Sequence, residues 1–269
     1  MLPFERLRAL ARYGGDERAL VDEAAECLAD FDADPAQLVL VCRRLLAHHP
    51  TNGPLWWLCA RVVGAGDPAA AARDARRVAA RDRTADRLAG VLPFPHDAPI
   101  VVLGWPETVG AALVQRPDLD VVVVRPDRGD TGMRARLGRA DRPVRMVNAA
   151  EVMAVGASHL LVEVLATSPA RALVPVGTAD LRWSLGDAQC WLVSPVDRIL
   201  PERLFGALCA RATGDARLSD EATRDRGGVE GEVFDLSDAA RIAGPGGLDD
   251  PARFATRLDC PVAPELLRA

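Results

Sequence analysis

The sequence contains no lysine, so all 33 of its basic residues are arginines. A chain without lysine cannot form a Schiff base with a carbonyl substrate. It also cannot contain a P-loop, because that motif ends in Gly-Lys-Ser/Thr. Alanine and arginine are abundant while asparagine is rare, which is the composition expected of a GC-rich bacterial genome. The missing lysine therefore excludes two classes of chemistry.

Aromatic residues are also scarce, at 4% of the 269 residues, although hydrophobic residues make up 49%. We therefore expect a core of alanine, valine and leucine in an ordinary globular protein. The chain has no excess of basic charge, and its formal net charge is −5. Dedicated nucleic-acid binders normally carry a strongly basic face, so a nucleic-acid partner is not expected.

Three further absences concern location and metals. The first residues lack the basic and apolar regions of a signal peptide, and no apolar run reaches the length of a membrane span. We therefore predict a cytoplasmic protein that does not enter a membrane. No Cys-x-x-Cys pair occurs, so we predict reduced buried thiols, with no zinc site and no cofactor. The six cysteines are Cys27, Cys42, Cys59, Cys190, Cys209 and Cys260.

The first ninety residues have the periodicity of helices. Apolar residues recur at three- and four-residue steps through 17–31, which predicts one helix with an apolar stripe. Asp34-Pro35 and Asp67-Pro68 are typical helix starts, since each places a capping carboxylate before a proline. The pattern predicts further helices from Pro35, from Pro54 and from Pro68, the last running to about Leu88. A helical domain over residues 1–92 follows from this pattern.

The pattern changes after the proline-rich segment 92–95. Short and nearly continuous apolar runs follow, separated by stretches compatible with helices. Continuous apolar strands are typical of a parallel sheet covered on both faces, so we predict an α/β Rossmann-like domain over 93–269. We expect 213–250 to be rich in loops and the C-terminal segment to pack back. The predicted strands are 100–103, 119–124, 144–147, 159–164 and 190–193.

Two features suggest an anion site at the carboxyl ends of these strands. The segment 102–110 (VLGWPETVG) reads as a strand, a turn and a helix start, whose free N–H groups can hold a phosphate or a carboxylate. Arg125 ends the second strand and can clamp a phosphate. A plain strand-to-helix loop and a solvated arginine remain the alternatives. The segment lacks the Gly-x-Gly-x-x-Gly fingerprint of dinucleotide-binding sites.

Other candidate sites are weak or excluded. The acidic run 30–34 has the opening of a calcium loop, but Pro35 and Val41 stand where that loop needs glycine and glutamate. His48 and His49 are adjacent, so they do not share one helix face, and a polar helix end explains them. The arginines of 73–83 are typical of a solvated helix face. No Gly-x-Ser-x-Gly elbow supports a hydrolase.

Several short motifs, in order along the chain, resemble one known superfamily. It comprises methylthioribose-1-phosphate isomerase, ribose-1,5-bisphosphate isomerase and the regulatory alpha, beta and delta subunits of the exchange factor for eukaryotic translation initiation factor 2, or initiation factor 2B. The segment 50–57 (PTNGPLWW) is similar to its Arg-Pro-Thr-x-x-x-Leu-Phe-Trp-Ala pattern, with His49 in place of arginine. The segments 107–109, 123–126, 174–178 and 262–267 resemble its later motifs.

The resemblance implies a helical domain followed by a Rossmann-like domain, and a homodimer formed through the latter. It also implies where ligand and chemistry belong. In the isomerases a cysteine at the first turn and the aspartate of a Gly-Ala-Asp motif carry out proton transfer. Gly104 matches the cysteine position, and the segment 163–166 (EVLA) matches the aspartate region without an aspartate. Pro175 matches the lysine of the family's Asn-Lys-Ile-Gly-Thr motif.

These departures favour a catalytically degenerate member of the superfamily. Such a protein binds a phosphorylated sugar or nucleotide, or serves as a regulatory or assembly subunit. One alternative is an active aldose–ketose isomerase of a phosphorylated pentose, with Glu163 as its base, because isomerisation needs a positioned acid or base. A translation-related factor is the second alternative. The expected ligand-binding residues are Thr51, Asn52, Gly104, Thr108, Arg125, Gly177 and Thr178.

Overall fold

The computed structural model describes residues 3–31, 34–92, 99–126, 133–212, 231–254 and 260–267. Within them a group of helices precedes a mostly parallel sheet with helices on its faces, which confirms the predicted α/β class.

Six helices of the described residues precede the first strand. The predicted caps are confirmed at Asp34 and Asp67, whose carboxylates accept backbone N–H groups of the first turns of their helices. Each carboxylate replaces the intrahelical partner that a first-turn N–H lacks, and the following proline needs no partner there. The helices are α1 (Pro3–Ala11), α2 (Glu17–Ala29), α3 (Pro35–His48), α4 (Gly53–Val63), α5 (Pro68–Ala80) and α6 (Thr84–Val91).

The single helix predicted from Pro68 to Leu88 is wrong, because the helix ends at Ala80 and a new one begins at Thr84. Asp82 causes the break: its Oδ1 accepts the Thr84 N–H at 2.9 Å and the Thr84 hydroxyl at 2.7 Å. Aspartate competes with helix continuation by bonding nearby backbone, and here it caps the next helix.

The main sheet of the described chain has seven strands in the order β10-β9-β7-β4-β1-β2-β3, all parallel except β10. The predicted apolar runs are confirmed as β1, β2, β3, β4 and β7. Alternate residues serve opposite faces, so Val101 and Val102 belong to two different buried clusters. The strands are β1 (Ile100–Leu103), β2 (Val121–Val124), β3 (Arg145–Val147), β4 (His159–Glu163), β7 (Gln189–Val193), β9 (Arg241–Gly244) and β10 (Gly247–Asp249).

A second sheet of three antiparallel strands lies beside the first, in the order β5-β6-β8. Its strands are β5 (Ala166–Thr167), β6 (Arg171–Pro175) and β8 (Gly231–Asp235). The strands β8, β9 and β10 fall within 213–250, so the described part of that segment is more regular than the loop-rich prediction. Four more helices are α7 (Glu107–Val114), α8 (Met133–Ala140), α9 (Thr178–Ser184) and α10 (Glu202–Ala212).

Packing connects distant parts of the chain. Leu88 of α6 packs in the cluster on one face of the sheet, with α7. Phe205 of α10 and Leu266 of the C-terminal 3₁₀ turn Pro264–Leu267 are instead buried in the cluster of the N-terminal helices. Arg43 of α3 also donates to the Glu265 carbonyl, at 2.6 Å from Nη2. The C-terminal segment thus packs against α3 and α10. Within the described chain, no helix has the length and apolarity of a membrane span.

Candidate functional site

The order of the strands defines where a ligand site is expected. The chain moves outward from β1 to β2 and β3, then crosses back to place β4 on the other side of β1. Ligands of open α/β sheets bind in the crevice at such a reversal, beyond the carboxyl ends of the strands. Here the crevice lies between Gly104, which follows β1, and Glu163, which ends β4.

The side chain of Glu163 occupies this crevice. Its Oε2 accepts the Thr108 N–H at 2.8 Å and the Val109 N–H at 3.0 Å, both from the first turn of α7. Unpaired N–H groups and the helix dipole favour negative charge there. Thr108 was predicted to help hold an anion, and the anion at its N–H group is a carboxylate of the same chain.

A buried ion pair holds the other oxygen of Glu163. Arg198, in the 3₁₀ turn Val196–Arg198, places Nη2 at 3.2 Å from Glu163 Oε1 and at 2.6 Å from Glu17 Oε2. Its Nη1 donates to the Val164 carbonyl at 2.9 Å. Glu163 and Arg198 are only 4% and 7% exposed. Because Glu17 belongs to α2, the guanidinium also ties the N-terminal helices to the sheet.

Burial shifts the acid–base properties of this cluster. It raises the pKa of Glu163, against the opposing effect of Arg198 and the two amide N–H groups. Burial also raises the pKa of Glu107, and it raises the pKa of Asp197 to about 7. For Arg198, burial alone lowers the pKa, but the carboxylates of Glu17, Glu163 and Asp197 outweigh it and raise the pKa overall. The cluster therefore holds its arginine firmly protonated.

The cavity beside this cluster is small and acidic. Its volume is about 150 Å³, below the roughly 300–1,000 Å³ of typical small-molecule sites. Its charged lining consists of six carboxylates against three guanidiniums, which is unfavourable for a phosphate. The acids are Glu17, Asp22, Asp82, Glu107, Glu163 and Asp197, and the bases are Arg18, Arg76 and Arg198.

The predicted residues Gly104 and Arg125 lie at the same edge of the sheet but outside this cavity. Gly104 has φ +68°, which favours glycine, and its N–H donates to the Val124 carbonyl at 2.9 Å. Arg125 is exposed after β2, and its backbone N–H donates to the Val147 carbonyl at 3.0 Å. Residues 127–132, which follow Arg125, lie outside the described residues. The roles predicted for Gly104 and Arg125 stay predictions.

Thr51 and Asn52 precede the helix α4, which faces the cavity through Pro54. Asn52 caps that helix: its Oδ1 accepts the Leu55 N–H at 2.8 Å. Gly53 lies so close to the sheet that a Cβ there would be 2.0 Å from the Leu165 carbonyl oxygen. The segment that resembles the superfamily motif therefore brings α4 against the strand ends, although Thr51 and Asn52 do not line the cavity.

Gly177 and Thr178 lie in the second sheet's connection to α9, away from the cavity. Gly177 has φ +93°, and the Thr178 hydroxyl donates to the Pro175 carbonyl at 2.7 Å. The Ala179 N–H donates to Glu232 Oε1 at 2.7 Å, so another carboxylate of the chain occupies this helix start. Of the residues predicted for the site, the cavity brings together Thr108 and Glu163.

Arg198 and Glu17 complete the cluster around Glu163, and neither was predicted from the sequence. Their ion pair joins residues 181 positions apart, so no local spacing signals it. The clue in the sequence was the position of Arg198 shortly after a predicted strand, the same signal that singled out Arg125.

Cysteines and metal ligands add no second centre to the described residues. All six cysteines are free and buried. The described side chains include no cluster of three or more His, Cys, Asp or Glu residues arranged to bind a metal ion.

Comparison of the sequence with family models and with curated proteins finds no match. Solved structures do match. A translation initiation factor eIF-2B from Pyrococcus horikoshii OT3 has a TM-score of 0.70 at 14% identity, covering 93% of this chain and 98% of that chain. The eIF2B beta2–delta2 tetramer from Chaetomium thermophilum gives 0.62 at 15% identity, covering 93% and 90%. The delta subunit from A. fulgidus gives 0.56 at 12% identity, covering 98% and 91%. The fold of this chain is therefore that of the eIF2B subunits, as the sequence motifs predicted.

Proposed function

We propose that this chain is a catalytically degenerate, isomerase-like protein that acts as a regulatory or assembly subunit and forms a homodimer. The observation that carries the proposal is the occupation of the α7 N-terminus by Glu163. A phosphorylated substrate would need these N–H groups, and they are already paired with a carboxylate at 2.8 and 3.0 Å.

The state of Glu163 argues against its use as a catalytic base. A base must present a free oxygen to the substrate proton. One oxygen of Glu163 accepts two N–H groups. The other accepts no hydrogen bond from the described residues but is buried at 3.2 Å from the Arg198 guanidinium, so neither oxygen is open to a substrate. Removing Arg198 from this position would leave a buried carboxylate without its counter-charge, which is costly. The cluster supports a structural role, in which Glu163 connects β4, α7 and the N-terminal helices.

An exposed apolar patch supports the assembly role. Trp183 on α9 is 88% exposed and Met153 is 73% exposed, and α9 contacts the 3₁₀ segment Ala149–Val155 that carries Met153. Val176, just before α9, is 47% exposed. Large exposed apolar groups on neighbouring elements are typical of interaction surfaces. We propose that a second copy of this chain covers this patch, here called the α9 patch.

The test measures both isomerase turnover and the molecular mass of the protein in solution. The purified chain is incubated with phosphorylated pentoses, and isomer formation is followed by proton NMR. We expect no product, and a dimer by light scattering. Turnover that disappears in Glu163→Gln would establish the isomerase alternative and overturn the proposal. A bacterial origin, a cytoplasmic location and a role in translation stay predictions.

A further inference from the structure

A second and larger cavity lies at the same edge of the sheet. Its volume is about 420 Å³, within the roughly 300–1,000 Å³ range of small-molecule sites. One wall is formed by the turn between α5 and α6, which carries Arg81 and Arg83, and by Arg87 of α6. The other wall follows β9 and β10 and carries Arg253. We call this cavity the arginine groove.

The charge of the arginine groove is opposite to that of the cavity beside Glu163. Four guanidiniums face two carboxylates, those of Asp82 and Asp249. Asp82 is already engaged, because Oδ1 caps α6 and Oδ2 accepts the Val196 N–H at 2.8 Å. The groove therefore has an excess of positive charge in a protein whose formal net charge is −5.

Most of these arginines lack a carboxylate partner. Arg83 pairs with Asp86. Across the described ranges, Arg81, Arg87 and Arg253 take part in no ion pair, so their charge is not neutralised by a carboxylate of the protein. The three guanidiniums therefore bring unneutralised positive charge to one concavity, which favours binding of an anion there.

The floor of the groove is apolar. Ile199 and Phe254 are buried there, and Val196 lies beside them. A site with several guanidiniums above an apolar floor suits an organic anion better than an inorganic ion. Guanidinium matches phosphate because its planar donors bind two oxygens at once.

We propose that the arginine groove binds a small organic phosphate, a phosphate ester whose carbon part lies on the apolar floor. The phosphate is held by Arg81, Arg87 and Arg253. Since the walls come from the N-terminal helices and from the sheet, the bound ester joins these two parts. This site goes beyond the proposed assembly role and requires no catalysis.

Isothermal titration calorimetry tests the site with inorganic phosphate, pyrophosphate, ribose 5-phosphate and uridine 5′-monophosphate, and with ribose and uridine as uncharged counterparts. We expect each ester to bind at least about tenfold more tightly than its counterpart, the effect of one charge-assisted hydrogen bond or more. Absence of binding by every phosphate, or equal binding of esters and counterparts, would overturn the proposal.

Paired variants locate the binding. Arg87→Ala with Arg253→Ala removes one exposed guanidinium from each wall. The matched control, Arg8→Ala with Arg73→Ala, removes two exposed arginines of α1 and α5 that do not line the groove. We expect the groove variant to weaken ester binding by at least about tenfold and the control to leave it unchanged. Equal loss in both, or loss in neither, refutes the assignment. Light scattering on the same samples measures the oligomeric state. The proposed assembly role is therefore tested independently of ester binding.

Discussion

Arg198 lies beside three buried or half-buried carboxylates, those of Glu17, Glu163 and Asp197. Its positive charge stabilises the negative charge of each of them. At the scale of single residues, one substitution at this position therefore affects three carboxylates at once. The predicted role of Glu163 came from its match to the aspartate region of the superfamily, and the structure buries its carboxyl group between Arg198 and the first turn of α7. Removing the guanidinium leaves Glu163 buried and unpaired.

We predict that Arg198→Met lowers the free energy of unfolding by about 3–5 kcal/mol, the loss expected for one partner of a buried ion pair. Urea denaturation followed by circular dichroism measures it. Glu163→Gln combined with Arg198→Met should regain part of that loss, because the amide oxygen still accepts the Thr108 and Val109 N–H groups. Arg18→Met, at the same cavity, is the control and should change stability by no more than about 0.5 kcal/mol. A similar loss in both arginine variants would contradict the buried role of Arg198.

Asp197 supplies a pH prediction. Burial raises its pKa to about 7 from an unfolded value of 3.8, so the folded state keeps a proton that the unfolded state releases between these values. Its contribution to stability is complete below pH 4 and is lost as the pH rises to 7. We expect the wild type to lose more stability than Asp197→Asn between pH 5 and pH 8, by an amount on the order of 1–3 kcal/mol. Urea denaturation of both proteins at the two pH values measures this difference. Parallel pH dependence would show that Asp197 does not hold the proton.

At the scale of elements, the turn between α5 and α6 depends on one carboxylate. Asp82 caps α6 and also accepts the Val196 N–H at 2.8 Å, whereas Asp67 only caps α5. We predict that Asp82→Ala costs about 1–3 kcal/mol of unfolding free energy, and at least about 1 kcal/mol more than Asp67→Ala. Thermal and urea denaturation compare the two variants. Equal costs would mean that the contact with Val196 contributes nothing.

The elements also show what a sequence can predict. The runs that became β1, β2, β4 and β7 are buried on both faces, so their central residues had to be apolar and the strands were evident. The polar residues lie at the strand ends: His159 and Glu163 in β4 and Gln189 in β7. Strand β6 begins with Arg171 and ends with Pro175, and β8 contains Glu232 and Asp235. These strands pair with each other across about sixty residues, and no local periodicity encodes such a pairing. Helix caps were predictable because they are local, which is why Asp34 and Asp67 were found.

The same difference between local signals and long-range contacts applies to the candidate site. Thr108 was predictable because it lies in the local strand–turn–helix segment 102–110, and Glu163 because its segment matches the aspartate region of the superfamily. The contact of Glu17 with Arg198 was not, since it exists only after the N-terminal helices pack against the turn that carries Arg198. The acidity of the cavity was equally hidden, because its six carboxylates come from separate segments.

At the scale of the whole molecule, the α9 patch leads to a prediction about mass. We expect light scattering to give about twice the 28.7 kDa of one chain. Trp183→Ser should shift the protein toward monomer and raise the dissociation constant by at least about tenfold, because exposed tryptophans at interfaces contribute strongly to binding. Val114→Ser is the control, a 44% exposed apolar residue on α7. An unchanged mass for Trp183→Ser would place the interface elsewhere.

The C-terminal turn has a consequence for how the protein is made. Leu266 is fully buried among the N-terminal helices, together with Phe205 of α10. The helices formed by the first ninety residues therefore lack part of their apolar partner surface until about 170 more residues are synthesised. At bacterial or eukaryotic rates of about 5–20 residues per second, that delay is roughly 10–30 s. During this interval the nascent chain exposes apolar surface, so it is then that the protein most needs protection from aggregation.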